Sequence, residues 1–348
     1  MRAVTIAAYG GREQLAVTEV ADPEPAPGEV VVRIAAAALN RMDTFIRQGL
    51  TGPGVRQPRA LPHVLGAEGA GTVVDVGTAD TDLAVGDRVV LYPGLHCGRC
   101  KYCRRGQHSR CAHYGIRGED AWGTQCELVA VPATDVLRIP DDVTFEEAAA
   151  APVGYTTSWT MLVTAGRLRP GERVLVVGAS GGVAIAAMQI AAHSGAQVLA
   201  TTRDPEKARR LAELPFVHQV IDGAAPGWCK EVLAATDAEG VDVVVDSVGA
   251  PTWRDSIRSL AQGGRLVVCG ATGGDTPDVS IRELYQSHRQ IIGGPFGGWD
   301  DFQRAMEFMF RTGASPLVHA ALPFEEIAEA HRIIEEGEHI GKVVVRPS

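Results

Sequence analysis

One segment constrains the fold more than any other. Residues 173–191 read RVLVVGASGGVAIAAMQIA: an apolar strand, a turn of small residues, and an apolar helix. A strand buried on both faces reads as a continuous Val/Leu run rather than an alternation. In the turn, Gly178, Ser180, Gly181, Gly182 and Val183 would bring backbone N–H groups at a helix start close to a pyrophosphate. A Gly-rich turn alone is a weak signal, but here the alternation continues. QVLATT, HQVID, VDVVVDSVG, GRLVVCGA and QIIGG read as further strands, and DPEKARRLAEL, WCKEVLAAT and TWRDSIRSLA as helices. Six strands alternating with helices predict an α/β, doubly wound parallel sheet over 146–295, the architecture of a dinucleotide-binding domain.

The loop after the second strand distinguishes the two dinucleotides. An NAD site presents an Asp or Glu about 20 residues beyond the turn. This strand ends in Thr201 and Thr202, and Arg203 follows; Asp204 is placed to cap the next helix. Hydroxyls and a guanidinium suit a 2′-phosphate that a carboxylate would repel. NADPH is the expected cofactor, held by Thr202 and Arg203. Lys207 is either a further positive charge or part of a solvated helix face. Ser247 and Val248 in DSVG, and Gly270, Ala271 and Thr272 in CGATGG, fall at the carboxyl edge of the sheet, where ligands bind.

The first 140 residues have a different texture. EVVVRIAAAAL, AGTVVDVG and DRVVLYPG are β-like, Gly and Pro separate them, and little helical period shows. This predicts a β-rich domain over 1–145. The segment DDVTFEEAAAAPVGYTTSWTMLVTAG reads as helix, with Thr144 and Glu147 at capping-box spacing. After residue 296 come two helical patterns and the strand GKVVVRP. This tail is short for a domain and is expected to complete the N-terminal one. A chain of 348 residues is long for a single core, which favours two domains. The net charge of −9, without a basic stripe, argues against nucleic acid or an anionic membrane as partner. No apolar run reaches the about 18 residues of a membrane span, and the start lacks a signal pattern. A cytoplasmic protein acting on a small molecule is expected.

Cys97, Cys100, Cys103 and Cys111 crowd into LHCGRCKYCRRGQHSRCAH, in a loop-like lobe at about 95–115. Seven cysteines in a long chain without a signal make a disulfide framework a poor reading. Four thiolates form a closed tetrahedral shell for zinc, with no position open to substrate. One structural Zn2+ is expected, an iron–sulfur cluster being the alternative. Cys126, Cys229 and Cys269 stand in apolar contexts and read as core residues.

GDRVV at 86–90, the cysteine lobe, the Gly-rich turn and GKVVV at 341–345 occur in one order along nearly the whole chain. Together they resemble the medium-chain dehydrogenase/reductase superfamily of zinc alcohol dehydrogenases and quinone oxidoreductases. The resemblance implies a GroES-like β domain carrying both termini, with a six-stranded Rossmann domain inserted. It also implies that Thr156 lies near the nicotinamide, and that a homodimer pairs through the QIIGG edge. Zinc alcohol dehydrogenases of this family hold a second, catalytic zinc. Its ligands are a Cys in C-x-x-D, a His in G-H-E, and a Cys or Asp before G-x-T. Here Asn40, Ala67 and Pro152 stand at those positions, while Asp43 and Glu68 are retained. None of the three is a good ligand, so no catalytic zinc is expected. A substitute set of His63, Asp43 and Glu68 would need new geometry.

The stretch LNRMD resembles the quinone oxidoreductase branch, which transfers hydride from NADPH without metal. Without a Lewis acid an isolated carbonyl is hard to polarise. Conjugate reduction places charge on a remote oxygen that hydrogen-bond donors can stabilise. The expected reaction is hydride transfer to an activated C=C, a quinone or a polyene carbonyl, as a simple reduction or as a tailoring step that closes a ring. The alternatives are a zinc-type alcohol dehydrogenase acting on an alcohol or ketone, and a non-catalytic NADPH-binding protein. Asn40 is either a side-chain donor to substrate or a turn residue bonding its own backbone. Asp43 is structural or orienting, and Arg41 offsets its charge or faces solvent. Tyr155 and Tyr92 are either proton donors or core residues. Lys342 either reaches the cofactor cleft or caps a strand.

Overall fold

The computed structural model describes residues 1–49 and 60–347. The chain divides into two compact units, Met1–Val153 with Gly298–Ser348 as unit 1 and Gly154–Gly297 as unit 2.

Unit 1 is built on a sheet ordered Val136–Arg138, Arg88–Leu91, Glu68–Asp75, Glu29–Ala38, Lys342–Arg346, Val318–Pro323. Leu128–Pro132 also pairs with Glu29–Ala38. The C-terminal strand runs antiparallel to Glu29–Ala38, with Val344 opposite Ala38. It is therefore an interior strand, and Lys342 through Val345 are all buried. The core gathers Val30, Val32, Ile34, Val89, Leu91, Val343 and Val345 with Phe324, Ile327, Ile333 and Ile334 from the C-terminal region. Alternate strand residues thus meet the apolar stripe of helix Ile327–Glu336.

Two local features differ from the sequence reading. A helix, Arg41–Gln48, lies within the β-rich region and ends on Gly49 at φ +70. Eight residues are too few to show a helical period against the surrounding strands. The long helical segment after Thr144 is two helices, Phe145–Ala150 and Pro152–Trp159, followed by a π-helical stretch, Thr160–Ala165. Its start is as expected: Glu147 N–H donates to Thr144 Oγ1 (3.2 Å), and Thr144 N–H to Glu147 Oε2 (3.0 Å). The interruption falls at Pro152, which has no N–H to give. The next N–H, of Val153, donates to Glu68 Oε2 at 2.6 Å rather than to a helical carbonyl. Helix Phe145–Ala150 packs on strands Glu29–Ala38 and Glu68–Asp75. The boundary therefore falls at 153/154 instead of 145/146, and at 297/298 instead of 295/296.

Unit 2 carries six parallel strands in the order Gln219–Asp222, Gln197–Thr202, Arg173–Val177, Val241–Asp246, Leu260–Val268, Gln290–Gly293. Numbered along the unit this is 3-2-1-4-5-6, a doubly wound order of dinucleotide-binding domains. Asp204 caps helix Pro205–Ala212 as expected, accepting from Glu206 N–H (2.9 Å) and Lys207 N–H (3.2 Å). No described helix is long and apolar enough to cross a membrane.

Candidate active site and metal centre

The polar cluster of unit 1 begins at the start of helix Arg41–Gln48. Asp43 is fully buried, and both its oxygens accept backbone N–H groups: Oδ2 from Asn40 at 2.7 Å and Oδ1 from Gly66 at 3.0 Å. Burial pushes its carboxyl up to about 6, against the opposing pull of the Asn40 N–H, Lys342 and the Gly66 N–H. Asp43 therefore holds the Asn40 backbone and leaves the Asn40 side chain free to turn elsewhere.

That side chain bonds two charged groups. Lys342 Nζ donates to Asn40 Oδ1 at 2.8 Å, and Asn40 Nδ2 donates to Glu68 Oε1 at 2.9 Å. Lys342 Nζ also bonds Glu68 Oε1 directly. An ammonium can only donate and a carboxylate only accept, so the amide has one possible orientation. One Nδ2 hydrogen goes to Glu68. Among the described residues no acceptor takes the second, and Asn40 is partly exposed. The Glu68 and Lys342 side chains are 0% and 5% exposed.

This placement corrects several expectations. Lys342 does not merely cap its strand: its Nζ bonds Asn40 and Glu68 within unit 1. Arg41 is half-buried and does not pair with Asp43; its Nη2 donates to the Ile334 carbonyl at 2.7 Å. Tyr155 is buried, and its hydroxyl bonds Gln189 within unit 2, which removes it as a proton donor. Tyr92 is buried among Trp299 and Phe302, and burial raises its phenol. His63 Nε2 lies 2.9 Å from the Gly118 carbonyl, so His63, Asp43 and Glu68 do not assemble as a ligand set. Sequence reasoning missed the Lys342–Glu68 pair. A Lys opening a strand whose next residues are all valines was the available signal, because a buried ammonium requires a carboxylate.

A backbone platform lies beside this cluster. Gly118 has φ +81, and a Cβ there would stand 2.6 Å from the Gly66 carbonyl oxygen. A Cβ on Gly123 would stand 2.2 Å from the Leu65 oxygen. Loop and strand pack main chain on main chain, two residues before Glu68.

The unit 2 residues expected to hold the cofactor gather at the carboxyl edge of its sheet. Gly178 has φ +69 and sits under Val248, whose Cγ2 would be 2.9 Å from a Cβ. Gly181 precedes helix Gly182–His193, and a Cβ there would meet nothing within 4 Å. The space in front of the helix N-terminus is open, and its first N–H groups have no carbonyls behind them. Lys207 Nζ reaches Ser180 Oγ of the turn at 3.4 Å. Thr202 Oγ1 accepts from Asp204 N–H at 3.3 Å. Arg203 is exposed, with no carboxylate partner among the described residues. Asp246 is buried and shapes the next loop, accepting from Val248 N–H (2.7 Å), Gly249 N–H (3.1 Å), Thr252 Oγ1 (2.8 Å) and Ser256 Oγ (2.7 Å). The Ser247 carbonyl accepts from Thr272 N–H at 3.3 Å, and the Val248 carbonyl from Gly273 N–H at 2.8 Å. The Gly270–Ala271–Thr272 stretch is thereby tied to this loop. Thr156 is buried with its hydroxyl unpartnered. The open helix start, the exposed guanidinium and the buried Lys207 fit a phosphorylated dinucleotide.

The cysteine lobe fits a metal. The Sγ atoms of Cys97, Cys100, Cys103 and Cys111 lie within 4.8 Å of one another. Three pairs stand at 3.5 Å, 3.5 Å and 4.0 Å. Tetrahedral zinc with bonds of about 2.3 Å places sulfurs about 3.8 Å apart. N–H groups of Arg99 and Cys100 pull the Cys97 thiol down to about 6, while burial pushes Cys103 up to about 12. Among the described residues these four cysteines are the one group of three or more ligating side chains gathered at such distances.

Residues 26–141 match the alcohol dehydrogenase GroES-like domain, and residues 182–311 the zinc-binding dehydrogenase domain. The chain is similar to an acryloyl-coenzyme A reductase of Metallosphaera sedula, 32% identical over 99% of both chains. It is 36% identical to a quinone oxidoreductase of Pseudomonas aeruginosa over 77% of this chain and 72% of the relative. A solved NAD-dependent alcohol dehydrogenase superposes with a TM-score of 0.94 at 39% identity, covering 100% of both chains. The two-unit fold, the dinucleotide-binding sheet and the tetracysteine lobe have their common explanation here: the chain belongs to the medium-chain dehydrogenase/reductase superfamily and is an oxidoreductase.

Proposed function

We propose that the protein reduces an activated, conjugated C=C or a quinone with NADPH, without a catalytic zinc. The observation that carries this reading is the Asn40–Glu68–Lys342 triangle. The position where metal-dependent relatives place a thiolate bears an amide locked between an ammonium and a carboxylate. An amide that gives its oxygen to Lys342 has only N–H to offer a substrate. Such a donor suits the oxygen on which charge develops when hydride adds to the β carbon. Lys342 supplies positive charge beside it. The Gly181–Val183 helix start would hold the pyrophosphate, Thr202, Arg203 and Lys207 the 2′-phosphate, and Thr156 would lie by the nicotinamide. NADPH supplies the hydride, and the four cysteines would hold one structural zinc. The similarity to an acryloyl-coenzyme A reductase and a quinone oxidoreductase supports this class of acceptor over an unconjugated ketone.

A panel of enones, enoyl thioesters and quinones, followed by NADPH absorbance, tests the reading. Oxidation with at least one conjugated acceptor, and none with saturated ketones, is expected. Turnover of a simple alcohol by an enzyme containing two zinc ions per chain would overturn it. A homodimer joined along strand Gln290–Gly293 belongs to the same proposal. That strand lies at the edge of its sheet, with Ile281, Tyr285 and Ile291 exposed nearby.

A further inference from the structure

Arg117 is 7% exposed and sits in the loop after strand Gly115–Ile116. Its backbone is fixed by an N–H bond to the Pro93 carbonyl at 2.9 Å. Its guanidinium is almost without partners. Nη1 donates to the Trp122 carbonyl at 3.5 Å, a long contact, and Nε is sealed from solvent with no acceptor. Among the described residues no carboxylate lies within ion-pair distance. Asp135 exerts the strongest attraction on it among the charged groups, but accepts from His96 (3.4 Å) and Thr134 (3.2 Å) instead. The Glu29 carboxylate accepts from Ala26 N–H, and Cys126 is a buried thiol pushed up to about 12. Residues 50–59 contain no Asp or Glu.

A buried guanidinium without an anion is costly, and proteins retain one where the anion comes from elsewhere. Its planar donor array fits a carboxylate or phosphate. The position is suited to the purpose. Gly118, the next residue, lies against Gly66, whose N–H holds Asp43 and thereby Asn40.

We propose that Arg117 is the receptor for an anionic group carried by the substrate, a carboxylate on the reduced skeleton or a phosphate of a thioester carrier. The inference rests on reading unit 1 as the unit that binds the hydride acceptor. It adds selectivity for acidic acceptors to that reading.

The test uses the full chain with NADPH and matched probes. (E)-4-Oxopent-2-enoate and (E)-pent-3-en-2-one differ by a carboxylate. Crotonyl-4′-phosphopantetheine and crotonylpantetheine differ by one phosphate. Wild type is expected to favour the charged member of at least one pair. Arg117→Met is expected to lower that kcat/KM ratio about 10- to 100-fold, the loss of a charge-assisted contact, with Arg117→Lys in between. The pair that responds identifies the anion. A second readout needs no turnover: calorimetry of 4-oxopentanoate and inorganic phosphate with the NADPH complex, where wild type binds at least one and Arg117→Met neither. Binding lost in the variant with no acceptor reduced would keep the anion site and remove the proposed reaction. Unchanged ratios and unchanged binding in both variants, or no binding and no charge preference in wild type, overturns the inference. If Arg117→Met does not fold by circular dichroism, Arg117→Gln and Arg117→Lys decide by the same ratios.

Discussion

Replacing Lys342 by Met isolates the energetics of the unit 1 cluster. The substitution removes donors to Asn40 Oδ1 at 2.8 Å and to Glu68 Oε1. It leaves the fully buried Glu68 carboxylate with two neutral donors, Asn40 Nδ2 at 2.9 Å and Val153 N–H at 2.6 Å. Breaking a buried pair by deleting one partner strands the other charge, at about 3–5 kcal/mol. Lys342→Met should therefore lower unfolding stability by about that amount. Glu68→Gln in the same background removes the stranded charge, so the double variant should regain much of the loss. The expected coupling is about 2 kcal/mol or more. Urea unfolding of wild type, both single variants and the double variant measures it. Additive effects, with coupling below about 0.5 kcal/mol, would refute the pair. So would a Lys342→Met cost below about 1 kcal/mol. The unanchored Asn40 amide should also lower kcat for conjugated acceptors.

Three further outcomes are expected. Elemental analysis should give one zinc per chain and Cys103→Ser little or none; two per chain in wild type would contradict the reading of Asn40, Ala67 and Pro152 as non-ligands. Arg203→Ala combined with Lys207→Ala should reduce the kcat/KM preference for NADPH over NADH by about 100-fold, roughly tenfold for each charged contact; an unchanged ratio would show that neither side chain reads the 2′-phosphate. Asp43 has its carboxyl raised from 3.8 to about 6 in the folded protein, so its contribution is fully present below about pH 4 and is lost as pH rises through 6. That loss amounts to about 3 kcal/mol. Asp43→Asn should lack this decline, and urea midpoints that fall in parallel for both proteins between pH 4 and 7 would reject it.

What could be read from the sequence was mostly local or periodic. The six parallel strands announced themselves because each is a short apolar run between turns, whereas their order, 3-2-1-4-5-6, is a property of the fold that right-handed crossovers alone do not fix. The cysteine lobe was legible because its four cysteines lie within one short loop. Helix Arg41–Gln48 was not, because its signal is a single Asp43–Asn40 contact rather than a pattern. The resemblance located Asn40 but could not show where its amide points. That depends on Glu68, 28 residues away, and Lys342, 302 residues away. Arg117 was invisible for a related reason: a lone Arg in a polar loop reads as solvated, and only burial without a partner makes it notable.

The contact of Gly118 and Gly123 with Leu65 and Gly66 bears on how this enzyme can be diversified. Main chain against main chain leaves no room for a side chain of any size, and the positive φ of Gly118 disfavours one further. Libraries that randomise these glycines will return mostly unfolded protein. The variable positions available to laboratory evolution of substrate range are instead the side chains carried on that immovable floor, Arg117 foremost if it receives the substrate's anion as proposed.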